Sequence, residues 1–318
     1  MRVIHVAAGA IKDRLGRVLV TRRASHVHQG GLWEFPGGKL EPGEDVTQAL
    51  RRELDEELGV QVLAFRPLIR VPHDYGDRRV LLYVYLVTAY AGEPRSREGQ
   101  PLGWWYPNEM DPSVFPDADR PIISALRLPE LYLITGPDPR RPDAFVRQLE
   151  QALERGIRLV QLRAHELADT DYASLAFRAF ALCEGSGARL MVSTDPCRAQ
   201  DLPCHGLHLS GERLRGLDRR PFTDQRWVGA SCHGAEDLAL AQRWGLDYAL
   251  LSPVRLTATH PEAVPLGWEG FAALADAAAI PIFALGGLRP EDLPEAVQRG
   301  AQGVAAIRGL WPEAPPSS

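Results

Sequence analysis

The stretch RRELDEELGV at 51–60 carries Glu53, Glu56 and Glu57 at spacings of three and four, with no lysine among them. On a helix, at about 100° per residue, these carboxylates fall within one arc. Glu53 and Glu57 are then like charges one turn apart, which weakens a helix by about 0.2–0.5 kcal/mol. Several carboxylates facing one way form a hard-oxygen set suited to Mg²⁺ or Mn²⁺. Such ions bind diphosphate oxygens and neutralise charge on a leaving phosphate, so the missing positive partner of this face is expected to be a divalent cation. Arg52 is expected to brace the acids by charge-assisted hydrogen bonds. Gly37 and Gly38 let the backbone approach an ion or phosphate closely, and Gly59 is placed as a helix C-cap.

Those residues need a rigid element beneath them. Leu50, Leu54 and Leu58 make a stripe beside the acidic one, which predicts an amphipathic helix over Val46–Leu58. Strands are expected at Val3–Ile11, Val18–Arg22, 63–71 and 80–89. Strands outnumber helices here without regular alternation, which points to an α+β sandwich. From residue 131 the rhythm changes. Short apolar runs at 131–135, 159–162, 190–193, 206–209, 227–231, 248–251, 282–285 and 304–307 alternate for the most part with helical patterns. Eight such runs predict a compact (β/α)8 TIM barrel, and two domains, 1–128 and 129–318.

The composition, 45% hydrophobic and 24% charged, is that of a globular protein. A net charge of −5 gives no general electrostatic footprint for a polynucleotide. The longest apolar run, VLLYVYLV at 80–87, is too short to span a bilayer. The N-terminal stretch lacks a signal-peptide layout. Cys183, Cys197, Cys204 and Cys232 show no CxxC spacing and read as reduced thiols, so a cytoplasmic location is expected.

The helix belongs to a longer pattern: Gly38, five residues, Glu44, seven residues, then Arg52-Glu53-Leu54-x-Glu56-Glu57-x-Gly59-Val60. It matches the Nudix box at every constrained position. With TRRASHVHQGGLWEFPGGKLEPGE, GEPRSREGQPLGWW and FPDADRPII, residues 1–127 resemble the MutT-type Nudix hydrolases. Those enzymes remove pyrophosphate from oxidised guanine nucleotides such as 8-oxo-dGTP. The resemblance implies that Glu53, Glu56 and Glu57 bind or order metals, assisted by the Gly37 carbonyl. It makes Glu98 a further metal ligand or base for the attacking water. Arg23 would meet phosphate, Gly38 would lie against the substrate, and Phe35 and Arg78 would line the base pocket. The family's base-reading stretch is usually Phe-Pro-x-Ala-Asn, whereas Asp119 follows Ala118 here. An amide both donates and accepts; an ionised carboxylate only accepts, unless burial raises its pKa and restores the proton.

LYLITGP, LVQLRAHE, GLHLSGE, VGASCHGAEDLALAQRWGLDYALLSPV, LTATH and FALGGL make residues 130–310 similar to the thiamine-phosphate synthase/thiazole tautomerase family. That family's synthases join a pyrimidine diphosphate to a thiazole phosphate with Mg²⁺ and a cationic phosphate cradle. The implied ligand site lies at strand C-terminal ends: Arg163, His165, Asp195, Ser231, His233, Thr257, Thr259, Gly286 and Gly287. His165 and His260 stand where lysines are expected, and Arg213 falls near the position of a magnesium aspartate, with Glu212 beside it. Such losses weaken pyrophosphate expulsion. His233 matches the acid/base histidine of the tautomerase branch. Three readings stay open for this half: a binding or regulatory module, a diverged synthase, and a tautomerase-like enzyme. The chain therefore reads as a bifunctional protein whose better-supported activity is Mg²⁺-dependent hydrolysis of a small-molecule nucleoside triphosphate. The alternative substrate is a thiamine-pathway diphosphate or a damaged thiamine diphosphate, and the barrel's partner would be a thiazole or pyrimidine phosphate. Neither a polynucleotide nor a membrane partner is implied.

Overall fold

Strand β1 (Val3–Ile11) alternates between two buried faces. Ala7 and Ile11 join a core with Leu50, Leu54 and Leu58, while Ala8 and Ala10 join a second core with Phe115, Ile122 and Ile123. Period-two alternation thus makes β1 the shared wall of two cores. In the computed structural model, which describes residues 3–26, 29–136, 138–257 and 262–312, the chain divides into two units. One is Met1–Arg127 with Asp276–Pro281, the other Leu128–Ala275 with Ile282–Ser318.

The first unit continues through β2 (Val18–Arg22), β3 (Trp33–Glu34), β4 (Gly37–Lys39), α1 (Val46–Leu58), β5 (Gln61–Asp74), β6 (Arg79–Ala91), β7 (Leu102–Trp105) and α2 (Arg120–Arg127). A mixed sheet runs β4-β1-β6-β5, and a smaller antiparallel one runs β3-β2-β7. The expected α+β sandwich is present. The strands expected at 63–71 and 80–89 extend further, to Gln61–Asp74 and Arg79–Ala91. β5 accommodates Pro67 and Pro72 because it lies at the sheet edge, where a residue without an N–H is tolerated. The short β3, β4 and β7 carry too few residues for a periodic signal.

α1 begins with a capping box. Asp45 accepts from the Thr47 and Gln48 amides at 2.8 and 2.9 Å, and the Gln48 side chain accepts from the Asp45 amide at 2.8 Å. It ends at Gly59, whose φ of 71° lies in the left-handed region. Leu50, Leu54 and Leu58 are fully buried, which leaves the acidic face outward.

The second unit is a closed barrel of eight parallel strands. Its order is β8 (Leu131–Ile134), α3 (Pro142–Glu154), β9 (Leu159–Leu162), α4 (Asp169–Ser186), β10 (Arg189–Val192), α5 (Pro196–Ala199), β11 (Gly206–Leu209), α6 (Gly211–Arg215) and β12 (Trp227–Cys232). It continues through α7 (Ala235–Arg243), β13 (Tyr248–Leu251), α8 (Gly267–Asp276), β14 (Ile282–Leu285), α9 (Leu293–Gln298) and β15 (Gly303–Ala306). All eight expected strands are present within one residue at each end. The barrel is compact because α5 and α6 are only 4 and 5 residues long.

Its interior is partly polar. Tyr132 and Tyr248 share a hydrogen bond of 2.8 Å, and His208 links Tyr248 (3.3 Å) to the Ser231 hydroxyl (3.0 Å). Burial drives the His208 pKa down to about 3, so the imidazole is neutral and serves as one donor and one acceptor. Gly229 makes room for this network: a Cβ there would lie 2.1 Å from the Tyr248 ring.

Because Leu54 is fully buried between α1 and β1, Leu54→Ala is expected to destabilise the first unit by about 2–5 kcal/mol. Chemical denaturation followed by far-UV circular dichroism reads this directly; a loss under 1 kcal/mol, on the scale of an exposed site, would contradict the packing.

Candidate active site

The acidic face of α1 closes on one guanidinium. Arg52 donates through Nε and Nη2 to the two oxygens of Glu44, at 2.9 and 3.0 Å, and through Nη1 to Glu53 (2.9 Å) and Glu56 (3.0 Å). Its Nη2 also reaches the Lys39 carbonyl at 3.1 Å. The arginine brace expected from the spacing is there, and it ties the helix to the end of β4. These bonds lift the Arg52 pKa above its ordinary value and hold Glu44 below the usual carboxylate range.

Glu57 lies outside that brace. Burial, together with the charges of Glu53, Glu34 and Glu98, pushes its pKa up to about 8, and only the Gly37 amide, donating to Oε2 at 3.2 Å, counters them. Glu53 is also raised, by burial first. Gly37 and Gly38 sit on β4 opposite Ala8 and Ala7. A Cβ on Gly38 would stand 2.2–2.4 Å from the Glu53 carboxylate, so the absent side chain is what admits that group. Gly37 has φ 148°, and its Cβ would strike the Ala7 carbonyl at 2.1 Å.

Glu98 is far away in sequence but belongs to this cluster. It lies in an exposed loop that is pinned to the end of α1, where Arg95 N–H donates to Leu58 O (3.0 Å) and Arg97 N–H to Glu57 O (2.9 Å). Among the described residues, no three side chains of His, Cys, Asp and Glu stand as a ready-made metal set. Glu53 and Glu56 each give one oxygen to Arg52 and keep the other. The donor chemistry nevertheless fits a hard divalent cation: the carboxylates of Glu53, Glu34 and Glu98 lie around Glu57, and among the described residues Glu57 has no ion-pair partner.

A second group of charges surrounds Asp119. Arg23 forms an ion pair with Glu34. Burial, with Glu34 adding repulsion, pushes the Asp119 pKa up to about 8, while Arg23 and a hydrogen bond from the Phe35 amide act the other way. Asp119 Oδ2 is buried without a hydrogen-bond partner. Phe35 stacks on Phe115 with centroids 5.9 Å apart. Arg78, in the turn between β5 and β6, pairs with Asp77 at 3.0 Å; its charge, with those of Asp119 and Arg23, reaches the Tyr75 phenol. Arg23, Phe35, Arg78 and Asp119 are therefore brought into one neighbourhood. Glu34 and Tyr75 belong to it as well and went unremarked in the sequence; the position of Glu34 directly before Phe35 was the available signal.

In the barrel, Arg163 and His165 follow β9, Asp195 follows β10, Ser231 and His233 lie at the end of β12, and Gly286 and Gly287 follow β14. Asp195 caps α5, accepting from the Cys197 amide at 2.9 Å. His233 donates from Nδ1 to the Ser252 carbonyl at 3.0 Å, and its amide donates to Asp237 at 2.9 Å. The positive φ values of Gly286 (113°) and Gly287 (66°) let the loop pass close to Pro253 and Leu256. Thr257 ends a described stretch; Thr259 and His260 lie outside the described residues.

Comparison with known proteins separates the same two halves. A family model described as NUDIX domain matches residues 7–125, and one described as thiamine monophosphate synthase matches residues 131–310. An 8-oxo-dGTP diphosphatase of Escherichia coli strain K12 is 36% identical over 127 residues, covering 40% of this chain and 98% of the relative. A CTP pyrophosphohydrolase of the same strain is 37% identical over 125 residues, covering 39% and 92%. A thiamine-phosphate synthase of Thioalkalivibrio sulfidiphilus is 31% identical over 196 residues, covering 60% and 92%.

The raised pKa of Asp119 has a consequence for stability. Between about pH 4 and pH 8 the folded chain keeps a proton on this group that the unfolded chain releases, so stability falls as pH rises through that window. Asp119→Asn removes the effect. Its Tm advantage is expected to grow from pH 4 to pH 8 and then level, reaching at least about 3 °C. Differential scanning calorimetry across the range checks this, and a difference that does not change with pH would contradict it.

Proposed function

The chain belongs to the NUDIX family through residues 7–125 and to the thiamine monophosphate synthase family through residues 131–310, and from that premise we propose that its N-terminal domain, 1–128, hydrolyses 8-oxo-dGTP to the nucleoside monophosphate and pyrophosphate. The domain 129–318 is its synthase-like companion. Glu53, Glu56, Glu57 and Glu98, with the Gly37 carbonyl, would hold Mg²⁺ or Mn²⁺. Bound there, such an ion supplies charge neutralisation at the diphosphate and lowers the pKa of a water. Arg52 orients Glu53 and Glu56, and the Gly37 amide orients Glu57. Glu98, on its exposed loop, is free to take a proton from the attacking water. Arg23 meets the phosphates, and the rings of Phe35 and Phe115 support the base.

The diphosphatase and CTP relatives are equally similar to this chain, so the choice of base rests on the pocket. The observation that carries the oxidised-guanine reading is the burial of Asp119. A carboxyl that keeps its proton near neutral pH offers one donor and one acceptor, as an amide does. It can donate to the guanine O6 and accept the N7–H that oxidation creates. Once ionised it retains the second contact and repels the first.

Pyrophosphate release with Mg²⁺ from 8-oxo-dGTP, dGTP, CTP and thiamine diphosphate tests this. The oxidised guanine nucleotide is expected to be preferred at pH 7, and the preference to fall above about pH 8 as Asp119 loses its proton. Asp119→Asn should flatten that profile. Faster cleavage of CTP or thiamine diphosphate would refute the assignment. Glu57→Gln is expected to keep the fold and reduce turnover on the order of 1,000-fold, the several kcal/mol that a metal site contributes; an unimpaired variant would place the chemistry elsewhere.

A further inference from the structure

We propose that the buried chain Tyr132–Tyr248–His208 runs in one direction only and turns the Ser231 hydroxyl into a hydrogen-bond donor at the mouth of the barrel. This stands apart from the hydrolase reading, since it uses residues of the second unit alone.

The four side chains come from four strands, β8, β13, β11 and β12. Tyr132 and Tyr248 meet oxygen to oxygen at 2.8 Å, Tyr248 meets His208 Nδ1 at 3.3 Å, and His208 Nε2 meets Ser231 Oγ at 3.0 Å. The two phenols and the imidazole are at most 1% exposed. Ser231 is only partly buried and stands second from the end of β12, on the C-terminal side of the barrel. Ring packing holds the chain in this order. Tyr248 lies edge-on to Tyr132 and Phe283, with centroids 5.5 and 5.9 Å away, and His208 stacks on it at 5.9 Å. Among the described residues, the four side chains make no other hydrogen bonds.

Three links and four protons leave few arrangements. Each hydroxyl carries one proton, and so does the imidazole, which burial keeps neutral. With the imidazole proton on Nδ1, it must go to the Tyr248 oxygen. The two phenols then hold two protons with a single link between them, and one buried O–H has no acceptor. With the proton on Nε2, Tyr132 donates to Tyr248, Tyr248 donates to Nδ1, and Nε2–H donates to Ser231 Oγ. Every buried proton is used once.

The proton left over is that of Ser231, at the one end of the chain that is not sealed. A buried donor without a partner disfavours the first arrangement about 10-fold or more. A serine hydroxyl ordinarily donates or accepts as its surroundings require. Here its acceptor side is taken from within, and its proton is offered to the barrel mouth, where this fold places its ligands. The ligand atom that fits is an acceptor: a phosphate or carbonyl oxygen, or a ring nitrogen without hydrogen. Tyr132, Tyr248 and His208 act through Ser231 as positioning residues.

Long-range ¹⁵N–¹H correlation spectra of the full chain with labelled histidine, near pH 7, test the direction. His208 is assigned through its ring contacts to Tyr132 and Tyr248. Its Nε2 is expected to carry the proton and Nδ1 to be bare, by at least about 10-fold. Tyr132→Phe should leave that ratio in place, because the Tyr248 O–H still has Nδ1 as its acceptor. Tyr248→Phe removes the proton that reaches Nδ1 and should bring the second tautomer to a comparable population, a change that packing alone would not produce. Neutron diffraction from deuterium-exchanged crystals is expected to place the Ser231 deuteron off the line to His208 and toward the mouth. A proton on Nδ1 in the unmodified chain, a Ser231 deuteron aimed at His208, or an unchanged tautomer ratio in Tyr248→Phe would overturn the proposal.

Discussion

The first unit depends on the contacts of one guanidinium. Arg52 meets three carboxylates and a carbonyl, which fills its fork: Glu44 ahead of α1, Glu53 and Glu56 on it, and Lys39 at the end of β4. Arginine stays charged under all working conditions, so it holds those acids in place and keeps Glu44 below the usual carboxylate range. It also limits how much negative charge the face can carry. Glu57 makes no hydrogen bond to it among the described residues, and Glu53, Glu34 and Glu98 around it add repulsion that the Gly37 amide opposes. The remaining contacts position this imbalance: the glycine pair on β4, the capped helix, and the loop tied to Leu58 and Glu57.

Features determined within a few residues were legible in the sequence. The helix, its apolar stripe, its glycine C-cap and the Arg52 brace all follow from spacings of three and four. The eight barrel strands were visible because each is a short apolar run set between helices. What could not be read depends on distant chain segments. Asp119 is a turn residue by type, and only the fold encloses it; the sequence could state what burial would do, not whether burial occurs. Glu34 has no local signature and is defined by Arg23 and Asp119 from other elements. Arg213 registered only as the wrong residue near an expected carboxylate.

The barrel divides its polar groups between two settings. Inside, Tyr132, Tyr248, His208 and Ser231 form a chain of neutral hydrogen bonds, which a low-dielectric interior tolerates because the partners satisfy one another. Charging His208 would strand a cation among those rings, and its pKa moves far down accordingly. The candidate ligand residues Arg163, His165 and Asp195 lie instead at the rim, after the ends of β9 and β10. The interior of the barrel is thus polar yet uncharged along this network.

Glu57 and Asp119 both have pKa values near 8, yet they call for different remedies. Burial is the largest influence on each, but Glu57 also faces three carboxylates and has only an amide as counterweight. A proton would relieve that repulsion one charge at a time; a divalent cation relieves several at once, which is why the cluster suits a metal. Asp119 faces one carboxylate and one arginine that oppose each other, so little net field remains there. Its difficulty is desolvation, and a proton resolves that without a counter-ion. The resulting acid group still leaves Oδ2 without a partner. A buried oxygen in that condition carries a cost that a hydrogen-bonding ligand can remove. The same burial that makes Asp119 resemble an amide also gives it a reason to bind.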